Sequence, residues 1–459
     1  MTLINPATGG EMGPTPYVDL DEAKHVLQQA HHAFDAWSQA TLSERAKLLR
    51  RLASTLRDRA SELALLAAKE MGKPVSEGEA EANKCAWVCE YYADNGASFL
   101  APKHVETDAE RSYVHLAPLG VVLAIMPWNF PFWQFFRFAA PALMAGNAVV
   151  LKHASNVPGC SEAIVSLVRE AGAPSGLVGS ALVEAKDVRA LIEDRRIAAV
   201  TFTGSTETGR KVAAAAGHAL KKTVLELGGS DPYVILRDAN LERAADITVK
   251  ARMINTGQSC IAAKRFIVVS PLKKKLEELV VSRMKSLQMG DPTDPATKVG
   301  PMSTVGLRDD LHRQVRESID RGAKLLLGGE VPNKAGAWYP PTVLTNVTRG
   351  MPAYEEELFG PVAAIIEAKD DDDAIDIAND SRFGLGAAVF TADQSEGERI
   401  ARARLRAGSC FVNDAVRSDP RLPFGGIGDS GYGRELSWLG IQEFVNAKTV
   451  YVAPREALY

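Results

Sequence analysis

The sequence lacks the features that mark metal-binding and disulfide-bonded proteins. It has five cysteines in 459 residues, at positions 85, 89, 160, 260 and 410. They do not form the repeated C-x-x-C pairs of zinc sites and disulfide frameworks. Its eight histidines include no H-E-x-x-H motif, so no metal site is predicted. We expect a reducing, cytoplasmic environment with free thiols.

An excess of charge of one sign is also missing. The 53 Lys and Arg residues nearly balance the 57 Asp and Glu residues, which argues against nucleic acid or an anionic membrane as partner. The longest apolar run, residues 116–133, contains Pro118, Pro127 and Pro131, so it predicts a strand, a turn and a helix start and no membrane segment. Near the N-terminus there is neither a basic leader nor an apolar stretch, so no export signal is predicted.

Helical and strand patterns alternate along almost the whole chain, which favours open, mainly parallel α/β sheets. The first third is predicted to be helical, with Asp19 capping the first helix and a further helical run over residues 48–71. One series of strands is predicted at residues 120–126, 148–151, 198–203, 222–227 and 233–236, with helices at 158–170 and 206–219. A second series has helices at 241–254 and 272–287, and strands at 265–269, 363–367, 386–390 and 408–412. We therefore expect two doubly wound α/β halves.

Two β-rich segments fit neither half. Residues 107–116 alternate as a hairpin does, and residues 443–452 form a β-rich run near the end of the chain. Exposed strand edges need a partner, and pairing with another subunit is one way to satisfy them. The sequence thus favours a small β arm that joins copies of this chain.

Cys260 is the strongest candidate for a reactive side chain. It ends the polar segment Asn-Thr-Gly-Gln-Ser-Cys between a predicted helix and a predicted strand, where backbone amides can converge on one atom. A thiol in such a loop is reachable, and a buried, inert cysteine is the alternative. The other four cysteines are assigned to that inert class because they adjoin apolar patterns.

Two further polar residues stand at the ends of predicted strands. Glu226 interrupts an apolar strand end before two glycines; it is either a base for a thiol or a water, or a salt-bridged carboxylate. Asn129 follows the strand at 120–126, at the edge where open α/β sheets bind ligands, and its amide can donate to an oxyanion. Capping of the next helix, which Pro131 begins, is the alternative for Asn129.

Charged residues near the same sheet edge suggest anion binding. Arg137 lies four residues after Trp133, on the same helical face, among aromatic residues that otherwise indicate core packing. It suits either a substrate carboxylate or a structural ion pair. There is no G-x-G-x-x-G fingerprint, so the predicted phosphate site is the strand-to-helix junction at Gly204 and Ser205, with Lys152 nearby.

Taken together, six motifs resemble the aldehyde dehydrogenase superfamily, in order and spacing, across nearly the whole chain. They are residues 127–129, Lys152, residues 202–205, 226–229, 257–260 and 357–361. The likeness is greatest to the short bacterial succinate-semialdehyde dehydrogenases, through residues 132–134 with Arg137, 151–154, 422–426 and 433–436. This resemblance implies that Cys260 attacks an aldehyde, that Asn129 and the Cys260 backbone N–H hold the oxyanion, and that Glu226 activates the water that hydrolyses the thioester.

The resemblance also implies a nicotinamide cofactor. Glu357 would bind the nicotinamide ribose, Lys152 the adenosine ribose, and Gly204 with Ser205 the pyrophosphate. The whole implied cofactor set is Pro127, Trp128, Lys152, Ser155, Gly204, Ser205, Leu227, Glu357 and Phe359. Ser155 stands where NAD-preferring relatives often have a glutamate, and without that charge a 2′-phosphate is not repelled. We therefore expect NADP to be preferred over NAD.

The implied substrate is succinate semialdehyde or a similar short aldehyde that carries a carboxylate. Arg137 and Ser418 match positions that hold this carboxylate in the resembling enzymes, with a narrow tunnel walled by Phe130, Trp133 and Phe424. Ile254 stands where some relatives have a second arginine, so a broader aliphatic or glutarate semialdehyde specificity stays open. A CoA-acylating enzyme is a further alternative, which Glu226 disfavours because that branch typically lacks the carboxylate.

The expected division of the chain follows from the same likeness. Residues 1–104 and 118–229 would form a cofactor-binding domain, and residues 230–424 a catalytic domain. Residues 105–117 and 443–455 would form a β-strand oligomerisation arm. A homodimer or a homotetramer is expected, with no nucleic acid or membrane among its partners.

Overall fold

The computed structural model describes residues 2–454. Arg455, the last residue of the predicted arm, lies outside the described residues. The helices are α1 (Leu20–Trp37), α2 (Leu42–Asp58), α3 (Ala60–Met71), α4 (Val75–Phe99), α5 (Trp133–Ala145), α6 (Pro158–Glu170), α7 (Val188–Glu193), α8 (Thr206–His218), α9 (Leu241–Met253), α10 (Ser270–Lys285), α11 (Val305–Asp320), α12 (Pro352–Glu355), α13 (Asp371–Asn379), α14 (Gln394–Ala403) and α15 (Ser437–Gln442).

The strands complete an alternating α/β order. They are β1 (Thr2–Ile4), β2 (Glu11–Pro14), β3 (Lys103–His104), β4 (Arg111–Pro118), β5 (Val121–Ile125), β6 (Ala148–Lys152), β7 (Val178–Ser180), β8 (Ile197–Thr203), β9 (Lys222–Glu226), β10 (Pro232–Ile235), β11 (Arg265–Val269), β12 (Lys324–Leu327), β13 (Thr342–Thr345), β14 (Val362–Ala368), β15 (Phe383–Gly384), β16 (Gly386–Phe390), β17 (Ser409–Val412), β18 (Ile427–Gly428), β19 (Gly431–Tyr432) and β20 (Val445–Val452).

The helical first third begins as the sequence predicts. The Asp19 carboxylate accepts hydrogen bonds from the backbone N–H groups of Asp21 and Glu22, and the Glu22 side chain accepts from the Asp19 N–H, which closes a capping box. The helical run at 48–71 is not one helix, because α2 ends at Asp58 and α3 begins at Ala60. The apolar faces of these helices belong to the same buried cluster as the strands of the first sheet.

The first sheet has six strands in the order β19-β9-β8-β5-β6-β7. Its five central and outer strands from β9 to β7 are parallel, and β19 is antiparallel to β9. The carboxyl ends of β5, β6, β8 and β9 therefore meet at one edge. This edge presents the loop after Ile125 together with Lys152, Gly204 and Glu226.

The second sheet has seven strands in the order β12-β13-β14-β11-β10-β16-β17 and is parallel except for β12. Alternate residues of its central strands enter two separate apolar clusters, one on each face; Val234 and Ile267 lie in one, and Tyr233 and Phe266 in the other. A parallel sheet covered on both faces is the arrangement that the unbroken apolar runs predict.

The two β-rich segments pair with each other inside the chain. Strand β20 runs antiparallel to β4 over its whole length, from Val445 opposite Pro118 to Val452 opposite Arg111, and β3 completes a three-stranded sheet. The two predicted segments are thus partners in one sheet of the same molecule. The free edges of that sheet, on β20 and β3, are the ones that another molecule could pair with. No helix within residues 2–454 combines the length and the apolarity that crossing a bilayer requires.

Candidate active site

Cys260 lies in a tightly turned loop between α9 and β11. After Met253 the backbone passes through three consecutive left-handed residues, Asn255 (φ 53°), Thr256 (φ 55°) and Gly257 (φ 75°). Two of these are not glycine, so the conformation stores strain that the surroundings must hold in place. The Asn255 N–H donates to a Glu77 carboxylate oxygen (2.6 Å), which anchors this turn to helix α4.

The Cys260 side chain faces a cavity of about 630 Å³ between the two sheet-containing halves. It is half-buried, whereas Cys85, Cys89 and Cys160 are buried. Burial raises the pKa of the Cys260 thiol to about 12, while the positive charges of Arg137 and Lys264 act in the opposite direction. The resting side chain is therefore a thiol at neutral pH and must lose its proton before it can attack.

Asn129 and the Cys260 loop are in direct contact. The Asn129 side-chain amide donates to the carbonyl oxygen of Gln258 (3.1 Å), and the Asn255 amide donates to the carbonyl oxygen of Asn129 (2.7 Å). Asn129 does not cap α5. That helix begins at Trp133, its N-cap residue is Phe132, and no side chain donates or accepts a capping hydrogen bond there. The structure thus brings these two sequence-predicted residues together and removes the capping alternative for Asn129.

Glu226 is placed differently. It ends β9 with 2% of its surface exposed, and a Cβ added at Gly425 would lie 2.7 Å from one of its carboxylate oxygens. The Glu226 carboxylate packs against that backbone and does not line the Cys260 cavity. Burial and the charge of Glu435 raise its pKa well above the usual range, against the effect of Arg137. Within residues 2–454 neither carboxylate oxygen has a hydrogen-bond partner, which leaves the side chain without a tether.

The residues implied for a cofactor lie along the shared edge of the first sheet and beside it. Lys152 ends β6, and burial lowers its pKa. Gly204 donates its N–H to the Glu226 carbonyl (3.0 Å), and Ser205 caps α8 by accepting from the Thr208 N–H (3.3 Å). The N-terminus of α8 therefore follows the Gly204-Ser205 junction at the sheet edge. The free backbone N–H groups of a helix N-terminus favour an anion.

The other implied cofactor residues join this edge to the second half. Glu357 accepts the Gly229 N–H (3.1 Å) and lies so close over Gly228 that a Cβ there would come within 2.6 Å of its carboxylate. Trp128, next to Pro127, packs edge-on against Phe359 at 5.8 Å between ring centroids. The Leu227 side chain packs against α8, and the Ser155 carbonyl accepts from the Thr15 hydroxyl. A cation, a helix N-terminus and an accessible carboxylate along one strand edge fit a dinucleotide.

All five residues implied for the substrate line the Cys260 cavity: Phe130, Trp133, Arg137, Ser418 and Phe424. Arg137 is buried, lies over the Phe424 ring (4.6 Å to its centroid) and forms an ion pair with Glu435. The ion-pair alternative for Arg137 is therefore present in the structure, and Arg137 lines the cavity as well.

Several charged residues near Cys260 were not predicted from the sequence. Lys264 donates to the carbonyl oxygens of Ser259 (2.9 Å) and Cys260 (2.6 Å), and its ammonium lies 3.3 Å from Glu357. Glu77 and Lys84 line the cavity from α4. The spacing of Glu77, Glu81 and Lys84 along one face of α4 was an available signal, but such a pattern also occurs on solvated helices.

The fold and the site define a class of α/β protein in which a thiol and an amide meet between two largely parallel sheets, next to a strand edge suited to a dinucleotide. The chain belongs to the aldehyde dehydrogenase family, whose family model matches residues 1–450. This confirms the family that the six motifs suggested.

Known proteins similar to this chain agree with that assignment. It is 46% identical to Succinate semialdehyde dehydrogenase [NAD(P)+] Sad of Escherichia coli, over 98% of this chain and 97% of that one. It is also 46% identical to a probable succinate-semialdehyde dehydrogenase [NADP(+)] of Synechocystis, over 99% and 100% of the two chains. The crystal structure of succinic semialdehyde dehydrogenase from Streptococcus pyogenes, in complex with NADP+, superposes with a TM-score of 0.95 at 37% identity, covering 99% and 100%.

Proposed function

We propose that this chain oxidises succinate semialdehyde to succinate, with NADP preferred over NAD as oxidant. The observation that carries this proposal is that the cavity holding Cys260 also contains Arg137 and Ser418 between aromatic walls. Cations and a hydroxyl within an aromatic tunnel suit a short aldehyde with a carboxylate at its far end. The printed names of the E. coli and Synechocystis relatives support the same substrate.

Cys260 is the proposed nucleophile. Its thiol gives up a proton to water, the sulfur bonds to the aldehyde carbon, and the carbonyl electron pair moves onto oxygen. The Asn129 amide lies in contact with the Cys260 loop, and we assign it, with the Cys260 backbone N–H, to the stabilisation of this oxyanion. For oxidation of the adduct to a thioester, a bound nicotinamide cofactor supplies the two-electron oxidant.

Glu226 is the proposed base for hydrolysis of the thioester. It takes a proton from water as the water oxygen attacks the thioester carbon, and Cys260 leaves as thiolate. Burial raises the pKa of Glu226, so the carboxyl favours its protonated form where it lies and has to lose that proton before it can act as the base. Because its carboxylate packs against Gly425, this role requires the untethered side chain to rotate toward Cys260.

We assign cofactor binding to the edge of the first sheet. Lys152 and Ser155 would bind the adenosine ribose and its 2′-phosphate, Gly204 and Ser205 the pyrophosphate, and Glu357 the nicotinamide ribose. The short Ser155 side chain supports the preference for NADP because a glutamate there would repel the phosphate.

The proposal also assigns a role to each part of the chain. Residues 1–104 and 118–229 bind cofactor, residues 230–424 carry Cys260, and residues 105–117 with 443–455 join copies into a homodimer or homotetramer. The outer edges of β20 and β17 support this assembly, because each ends its own sheet. The free cysteines support a reducing, cytoplasmic location.

The test is a panel of kcat/KM values. Succinate semialdehyde, glutarate semialdehyde and the uncharged butanal are each paired with NADP and with NAD. We expect the highest value for succinate semialdehyde with NADP. A higher kcat/KM for butanal than for succinate semialdehyde would refute the proposed substrate.

A further inference from the structure

Lys84 is a residue of the Cys260 cavity that takes no part in the catalytic steps proposed above. Lys84 projects from α4 into the cavity; its ammonium donates to the Ser418 hydroxyl (2.8 Å) and lies 4.2 Å from the centroid of the Trp133 ring. Two of the residues implied for the substrate are therefore its immediate neighbours. At position 254, where a second arginine was considered from the sequence, the cavity wall is Ile254.

The three arginines that line this cavity have carboxylate partners, whereas its lysines, Lys84, Lys250 and Lys298, form no ion pair within the described residues. Arg137 pairs with Glu435, Arg283 with Asp246 as well as Glu242, and Arg417 with Asp414. For Lys84, by contrast, no carboxylate oxygen of the described chain lies within ion-pair distance, and its hydrogen bond goes to a neutral hydroxyl. A largely buried ammonium in this state is stabilised by any anion that enters the cavity.

The contact with Ser418 also orients that hydroxyl. A serine oxygen that accepts a hydrogen bond from an ammonium keeps its own O–H free to donate. Lys84 and Ser418 can therefore both donate to one carboxylate, with Trp133 covering the ammonium as a cation–π partner. Arg137 contributes less net charge at this place, since Glu435 offsets it.

We propose that Lys84 binds the distal carboxylate of the substrate and determines the preference for a charged aldehyde. This inference rests on the proposed function. Some relatives have a second arginine at the position of Ile254. In this chain Lys84 of α4 supplies a second positive charge to the cavity instead.

The charges around Lys84 give the inference a dependence on pH. Burial and the charge of Arg137 lower its pKa to about 8, whereas Cys85, Glu81 and Asp419 raise it. Above that pH the free enzyme loses the ammonium, so binding of a carboxylate weakens while binding of an uncharged aldehyde does not. The ionisation of Cys260 affects the oxidation of both aldehydes equally. It therefore cancels in the ratio of kcat/KM for succinate semialdehyde to kcat/KM for butanal.

The experiment compares Lys84→Met with the unchanged enzyme on these two aldehydes. We expect KM for succinate semialdehyde to rise about tenfold or more, with little change in kcat and no rise in KM for butanal. Lys84→Arg should keep most of the preference because it keeps the charge. Lys69→Met, which removes an exposed lysine of α3 outside the cavity, serves as the matched control and should change neither KM.

The outcomes separate this inference from the proposed function. If the unchanged enzyme prefers butanal, the proposed function fails before any variant is compared. If it prefers succinate semialdehyde but Lys84→Met loses both substrates equally, or neither, Lys84 does not bind the carboxylate. The ratio of kcat/KM values should fall above about pH 8 in the unchanged enzyme and stay level in Lys84→Met; a fall of equal size in both would also overturn the inference.

Discussion

Cys260 combines accessibility with an unfavourable environment for its charged form. Its side chain faces the cavity, yet burial raises its pKa to about 12. Arg137 and Lys264 provide positive charge nearby, but they do not outweigh the loss of solvent. The thiolate is therefore formed during the reaction and is not stored in the resting enzyme.

Alkylation by iodoacetamide reports this state of Cys260. Because only the thiolate reacts, and its fraction rises tenfold per pH unit below the pKa, the modification rate of the resting enzyme should still be rising above pH 9. The rate is followed by mass spectrometry of the Cys260 peptide, with Cys260→Ala as control for other thiols. A rate that levels off near neutral pH would show that the resting thiol is already ionised.

Ser155 allows the cofactor preference to be tested with one side chain. Ser155→Glu should raise KM for NADP roughly tenfold or more, because the new carboxylate repels the 2′-phosphate, and should change KM for NAD much less. Ser155→Gln has nearly the same size without the charge and separates repulsion from steric hindrance. An equal ratio of the two KM values in Ser155→Glu and in the unchanged enzyme would contradict the assignment.

At the scale of elements, α4 supports both loops of the active site. Glu77 accepts the Asn255 N–H, and Glu81 accepts the N–H groups of Phe132 (2.9 Å) and Trp133 (2.8 Å) at the start of α5. Lys73, at the turn before α4, pairs with Glu81 and lies 3.9 Å from the centroid of the Phe130 ring. These charges face inward because they bind backbone groups next to Cys260 and Asn129.

Removing Lys73 tests this support. Lys73→Met should lower the free energy of unfolding by about 3–5 kcal/mol, since it leaves the buried Glu81 carboxylate without its cation. Arg50→Met breaks the exposed pair with Asp94 and should cost less than about 1 kcal/mol. Urea unfolding followed by tryptophan fluorescence measures both changes. Similar losses in the two variants would mean that the buried pair has no special role.

The sequence predicts most elements whose periodicity and end signals agree. Helix α6 (Pro158–Glu170) and strands β11 (Arg265–Val269) and β16 (Gly386–Phe390) have the predicted bounds. Helix α4 lies within the first third, which was predicted to be helical, but its bounds were not predicted. Its buried face is mainly apolar, with Ala82, Cys85 and Cys89, although Glu81 is buried there too. Strands β7, β12 and β13 are three or four residues long, too short for a reliable alternation signal, and α11 was missed although its apolar spacing is regular.

Some residues of the site could be predicted from the sequence, and others could not. Asn129 and Cys260 could be predicted because each follows or precedes a strand at a recognisable motif. Lys84 and Lys264 could not, because their roles depend on contacts between elements distant in the sequence: Lys84 meets Ser418, 334 residues later. The position of the Glu226 carboxylate against Gly425 likewise depends on a loop near the far end of the chain.

At the scale of the whole molecule, the cavity lies where helices of the two halves meet, because α4 and α5 line it together with α9 and α10. Cys260 joins this lining from the loop that leads into β11, whereas Lys152 and Glu226, at the strand edge of the first sheet, do not line the cavity. The three-stranded sheet of β20, β4 and β3 is separate from the two large sheets and leaves an open strand edge. An element of this kind suits association with a second copy.

The assembly has a direct measurement. Light scattering coupled to size-exclusion chromatography should return a mass of two or four times the 49.4 kDa of one chain. The prediction requires no variant, and dilution to nanomolar concentration serves as control for weak association. A mass of one chain under all conditions would refute the role proposed for residues 105–117 and 443–455.

The central claim is that Cys260 holds the acyl group as a thioester and that Glu226 activates the water that hydrolyses it. In Glu226→Gln the hydrolysis should slow while acylation continues. Intact-protein and peptide mass spectrometry, after mixing this variant with succinate semialdehyde and NADP, should find one succinyl group on Cys260, and Glu226→Gln with Cys260→Ala should carry none. An unmodified Cys260 in a variant that still reduces NADP, or a succinyl group on another residue, would contradict the account.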